Sequence, residues 1–233
     1  MNDAAFVAEL DRRIAKYDLL CHPFYKAWSE GSLTRADLRE YAADYYHHVA
    51  AFPEYLGEFA ARLPEGELCA AVSANRDDEL GVNSPDGRPH HELWLQFASG
   101  MGAGAGQVKD REPLPELADL IWHFRRVARE ASPVEALASF YAYESQVPRV
   151  AAEKARGLRE RYGADEHTCR YFTLHTTADA HHSRVWRDQV LAAVDSPAAK
   201  AAALDAAEAA ARALWTALDG IDAARQERMA SVR

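Results

Sequence analysis

Tyr171-Phe172-Thr173-Leu174-His175-Thr176-Thr177-Ala178-Asp179-Ala180-His181-His182-Ser183-Arg184-Val185-Trp186 carries its aromatic and titratable side chains at steps of four, four, three and four: Tyr171, His175, Asp179, His182, Trp186. That spacing puts all five on one face of an α-helix. A stripe that begins and ends on an aromatic faces the core. Burying two imidazoles and a carboxylate there costs several kcal/mol unless they are paired or bind a metal. A metal is the economical explanation; an ordinary His-Asp hydrogen-bond pair or a solvated polar face is the bland one. His181 lies about 100° around the helix from the stripe, which makes His182 the better candidate ligand.

Working outward, helical periodicity continues in both directions, and no alternating β-branched run bounded by turns argues for strands. The expected fold is all-α, with helices over 3–20, 23–29, 35–50, 53–63, 66–81, 90–100, 114–130, 133–161, 166–194 and an Ala-rich final helix at about 197–227. Thr34, the capping box Ser132-Pro133-Val134-Glu135, Asp165 and Ser196-Pro197 mark helix starts. Pro53 and Pro148 fall inside periodic segments and should break or kink them. The loops are 83–89 and 100–115. Gly100 to Gly106 lacks the Gly-Lys-Ser/Thr ending of a phosphate loop and reads as a flexible connection.

The 233 residues, 48% apolar and 27% charged, contain no second composition block and read as one domain, 1–233. The 16-residue uncharged stretch from Leu93 to Val108 is too short and Gly-rich for a membrane span. Nothing near Met1 resembles an export signal, so the expected location is cytoplasmic. Three cysteines without CxxC spacing suggest neither a disulfide framework nor a thiolate zinc site. A formal charge of −9 disfavours nucleic acid as a partner. The acidic surface and Ala-rich helix are compatible with a homodimer.

Two further anomalies accompany the first. The helix from Pro133 has an inward face of Leu137, Phe140, Tyr141, Val147 and Ala151 with Glu144 in its middle, a carboxylate that needs a partner. Asp78-Glu79 closes one helix, and His90-His91-Glu92-Leu93-Trp94 opens the next. Together Glu79, His90, Glu144, His175, Asp179 and His182 supply three carboxylates and three imidazoles. This is an inventory for two metal ions, iron or manganese or one of each, with positions left for dioxygen. The tyrosines Tyr25, Tyr41, Tyr45, Tyr46, Tyr141, Tyr143, Tyr162 and Tyr171 are core packing on their own. Beside an oxidising centre they are also redox-active groups.

His22-Pro23-Phe24-Tyr25, Tyr41-Ala42-x-Asp44-Tyr45-Tyr46, Ala51-Phe52-Pro53-x-Tyr55-Leu56, Tyr143-Glu144-Ser145-Gln146-Val147-Pro148 and His175-x3-Asp179-x2-His182, in this order, resemble the family of the chlamydia protein associating with death domains, within the haem-oxygenase-like di-metal oxidases. The resemblance runs from about residue 8 to 195. It implies a compact haem-oxygenase-like bundle of the seven-helix type. It further implies oxygen-dependent formation of 4-aminobenzoate for folate, in which a tyrosine of the protein supplies the ring and a lysine the amino group. Carried over by motif, the tyrosine is Tyr25 and the lysine is Lys154, while Tyr41, Tyr143 and Tyr171 match neighbouring tyrosines that relay electrons or position the ring. An external reductant would complete the cofactor set. The loop after Glu79 is several residues longer than the family pattern, and aligning Leu93-Trp94 selects His90 over His91. Ten residues of helix rise about 15 Å, so Lys154 reaches Glu144 only through a break at Pro148 or a relay. Two other readings remain: a di-metal oxygenase acting on a free small molecule, and a helical binding or scaffold protein whose polar core forms only hydrogen bonds.

Overall fold

A computed structural model describes residues 1–84 and 86–231. Among these the chain forms α1 (Asp3–Ala15), α2 (Pro23–Glu30), α3 (Arg35–Ala60), α4 (Glu67–Glu79), α5 (His90–Gly100), α6 (Ala105–Lys109), α7 (Pro115–Glu130), α8 (Pro133–Glu144), α9 (Val147–Tyr162), α10 (Glu166–Ala193) and α11 (Pro197–Ser231), with a 3-10 turn at Leu19–Cys21. No described residue lies in a strand, and the all-α expectation holds. No described helix is long and apolar enough to cross a membrane.

Helix starts follow the caps. Thr34 accepts the Asp37 amide, and the Asp37 carboxylate accepts the Thr34 amide at 2.8 Å. Ser132 and Glu135 close the same reciprocal box at α8, and Asp165 caps α10 by accepting the Thr168 amide at 2.8 Å.

Three expectations are corrected. Pro53 neither ends nor divides its helix: α3 runs through it from Arg35 to Ala60. An interior proline costs about 3 kcal/mol. Phe52 just before it and Tyr55, Leu56 and Phe59 beyond it are all buried, and each contributes roughly 1.5–3 kcal/mol, so packing wins. The single helix expected over 133–161 is two, because the chain breaks at Ser145-Gln146 and Pro148 sits in the first turn of α9. The stretch 100–115 is not a plain loop, since α6 buries Val108 within it. Such divisions turn the seven-helix outline into more, shorter segments.

Helix α10 lies at the centre, packed against α5, α8 and α9, while α3 packs on α4, α5 and α7, and α11 closes the outside against α1, α7 and α8. Gly81 lets α4 and α5 end close together. It adopts φ +74, and a Cβ there would collide with the backbone of Arg88 on the returning loop.

Candidate metal centre

Glu79 ends α4, His90 begins α5, Glu144 ends α8, and His175, Asp179 and His182 share one face of α10. All six are buried. They converge as two groups, Glu79 with His90 and His175, and Glu144 with Asp179 and His182; within each group the candidate donor atoms lie within 4.8 Å of one another. His91 is half-buried and His181 exposed, and neither belongs to a group.

In the first group Glu79 addresses both imidazoles, with Oε2 3.0 Å from His90 Nδ1 and Oε1 4.0 Å from His175 Nε2. His175 Nδ1 lies 2.6 Å from the Tyr171 carbonyl. A carbonyl only accepts, so Nδ1 carries the proton and Nε2 presents its lone pair inward. In the second group His182 Nδ1 faces Asp179 Oδ1 at 3.5 Å and Glu144 Oε2 at 3.8 Å. Its Nε2 donates to Asp78 Oδ2 at 3.0 Å, which orients the ring. Glu144 is held from behind by Asn75 Nδ2, at 3.0 and 3.2 Å from its two oxygens, and by the Trp186 indole N–H at 2.7 Å. Asn75 and the orienting role of Asp78 have no counterpart in the sequence reading. Asn75 shares a face of α4 with Asp78 and Glu79, three and four residues on, but that spacing alone does not mark it.

The donor set fits two cations. His90 Nδ1 and His182 Nδ1 are buried, face carboxylates, and make no hydrogen bond. Three carboxylates and three imidazoles are buried together in the two groups. Burial, with Asp179 and Glu79 nearby, pushes the Glu144 carboxyl up to about 8. Burial opposes a charge on His182 too, yet the carboxylates of Asp179, Glu144 and Asp78 raise it to about 10. Both shifts express a demand for positive charge that two divalent ions would meet with oxygen and nitrogen ligands suited to iron or manganese.

A cavity of about 10 Å³ bordered by Glu79, Glu144, His175, Asp179, Tyr143 and Tyr171 joins the two groups. That is about one water. Tyr143 and Tyr171 also border a second cavity, of about 30 Å³, whose other walls include Tyr25, Tyr45, Trp94 and Lys154. The two tyrosines thus stand as a partition between the inner and outer spaces.

In the outer space Lys154 Nζ lies 2.7 Å from the Tyr25 hydroxyl and 2.5 Å from that of Tyr41, and the two hydroxyls are 3.0 Å apart. The amine is also 4.1 Å from the centroid of the Tyr25 ring. Burial pulls the Lys154 amine well below the usual lysine value and pushes both phenols well above theirs. Burial thus favours the uncharged form of the amine and of both phenols. Because α9 starts afresh after the break, Lys154 projects toward Tyr25 and not along a continuous helix from Glu144.

A family model described as iron-containing redox enzymes matches residues 39–215. The chain is 35% identical over 227 residues to a 4-aminobenzoate synthase of Nitrosomonas europaea, covering 93% of this chain and 90% of that one. It is 36% identical over 180 residues to a 4-aminobenzoate synthase of Chlamydia pneumoniae, covering 77% and 78%. In fold it is similar to a Shewanella denitrificans domain of unknown function with a heme oxygenase-like fold, at a TM-score of 0.81 and 18% identity over 94% of this chain and 93% of that one.

Proposed function

The chain belongs to the iron-containing redox enzyme family, and from that premise we propose that it makes 4-aminobenzoate from its own Tyr25, with Lys154 as the source of the amino nitrogen. Glu79, His90, His175, Glu144, Asp179 and His182 would hold two metal ions, iron, manganese or one of each. When bound, such a pair activates dioxygen with electrons from an external reductant.

The observation that carries the reading is the size of the outer cavity. Pockets for free small molecules run to about 300 Å³ or more, whereas the space beside the Tyr143–Tyr171 partition is about 30 Å³. The aromatic ring and the amine present there are the protein's own. A surface groove of about 650 Å³ between α7, α8 and α11 shares no lining residue with either cavity. A free-substrate oxygenase has no comparable support.

The roles of the chain's residues follow from the geometry. Tyr143 and Tyr171 separate the oxidising centre from the ring and exclude water. Lys154, whose uncharged form burial favours, offers its lone pair to the phenol proton of Tyr25 or Tyr41. Tyr41 keeps the Tyr25 hydroxyl and the amine in register. A charged ammonium would have neither the free pair to take a proton nor the nucleophilicity to donate nitrogen.

Metal-loaded protein given dioxygen and reductant, with no organic substrate, should release no more than one 4-aminobenzoate per chain. Ring-labelled tyrosine in the protein should appear in the product, with the label lost at position 25. Tyr25→Phe should make none while retaining its metals. Sustained turnover of an added small molecule, or unlabelled product from labelled protein, would refute the proposal.

A further inference from the structure

Trp94 belongs to neither metal group and not to the Tyr25–Tyr41–Lys154 set, yet its ring touches tyrosines of both spaces. Its centroid lies 4.9 Å from that of Tyr171, edge-on at 89°, and the Tyr171 ring lies 4.0 Å from the imidazole of His175. On its other side it is 5.7 Å from Tyr41 and 5.6 Å from Tyr45. The indole is buried, and its N–H donates to the Ala42 carbonyl at 2.7 Å.

An oxidant generated at the metal centre must draw electrons from a phenol on the far side of the Tyr143–Tyr171 partition. Electron transfer slows steeply with distance, so an oxidisable ring between the two shortens each step. Tryptophan and tyrosine serve; Phe97 and Phe172, which also pack on Trp94, do not. A phenol must shed its proton when oxidised, and burial pushes Tyr45 above its ordinary acidity range. An indole can lose an electron and keep its proton, and here the Ala42 carbonyl holds that proton in place.

We propose that Trp94 is a redox relay carrying one oxidising equivalent at a time from the metal centre to the Tyr25–Tyr41–Lys154 set. This rests on the di-metal oxidase reading, with dioxygen as the ultimate oxidant. The indole gives one electron across the Tyr171–His175 contact to the oxidising centre and becomes a radical cation with its N–H intact. One electron from the phenol of Tyr25 or Tyr41 restores the neutral indole. The phenol proton passes to the Lys154 amine. The net change is one electron gained by the centre, one phenoxyl formed and one ammonium formed, with Trp94 unchanged.

The test is freeze-quench electron paramagnetic resonance of the metal-loaded protein mixed with dioxygen and reductant, with normal and ring-deuterated tryptophan, alongside 4-aminobenzoate counted per chain. Wild type should show a transient radical whose hyperfine pattern narrows on tryptophan deuteration. In Trp94→Phe that signal should vanish and the product rate fall to below roughly a tenth, with metal content unchanged. Trp94→Tyr should recover part of the rate. In Tyr25→Phe the Trp94 signal should persist longer, because one phenol able to quench it is gone. A deuteration-insensitive radical, or Trp94→Phe at the wild-type rate, overturns the relay. Loss of product in Tyr45→Phe but not in Trp94→Phe overturns it in favour of a route through the Tyr45 phenol. Product from Tyr25→Phe would sink the self-consuming reading instead, and the tryptophan signal would still decide the relay.

Discussion

A primary amine with 5% of its surface exposed has lost most of its hydration, and Lys154 is in that position with no carboxylate among its hydrogen-bond partners. Burial lowers its folded-state pKa, whereas the unfolded chain holds the proton up to about 10.4. Between those two values the unfolded state binds more protons, so stability rises with pH across that window and is lowest at its acid end. Lys154→Met should therefore stabilise the fold at pH 7 by about 1–3 kcal/mol, since the Tyr25 and Tyr41 hydroxyls still satisfy each other. Denaturant unfolding at pH 7 and pH 10 checks this: the gain should shrink at the higher pH, and a loss at pH 7 would mean that the amine's hydrogen bonds outweigh its desolvation. The same scale shows what sequence can reveal of a site. The six donor residues stand out because a titratable group on an apolar helical stripe is anomalous. Asn75 does not, because an amide among the charged residues of α4 is ordinary until Glu144 is seen against it.

Between elements, the junction of α8 and α9 decides where Lys154 points, and Gln146 secures it. Its buried Oε1 accepts the Leu19 amide at 3.0 Å, tying the 3-10 turn ahead of α2 to the break between the two helices. Gln146→Ala leaves that amide buried and unpaired, which should cost about 1–3 kcal/mol. The expected signature is a lower urea midpoint at unchanged slope; an unmoved midpoint would show that the turn is held by other contacts. Helix existence and helix starts were legible, because Thr34, Ser132 and Asp165 satisfy amides that every helix leaves free. Continuity was not. Pro53 and Pro148 look alike in sequence, but one is overruled by the aromatic packing around α3 and the other lies just past a real end. Local pattern does not contain the tertiary contacts that separate the two cases.

For the molecule as a whole, a site assembled from α4, α5, α8 and α10 exists only when those helices are packed, so any ion it binds stabilises the fold. Iron(II) or manganese(II) held anaerobically at about 100 times its dissociation constant should add about 2.7 kcal/mol for each site filled. Asp179→Ala should lose at least one equivalent of metal and much of that gain. A melting temperature indifferent to both metals would instead favour a scaffold whose polar core only forms hydrogen bonds. The tightness of the outer cavity has a separate cost. The Tyr25 ring is walled by Phe24, Tyr41 and the Lys154 amine. If that ring leaves as product, the spent chain keeps an enclosed vacancy of aromatic size. Emptying such a space typically costs 3–5 kcal/mol, against a total stability of about 5–15 kcal/mol. A used molecule is thereby physically different from a fresh one, and more open to proteases. Output would then be rationed by ribosomes, with each vitamin precursor debited against one translated polypeptide and the husk returned as amino acids.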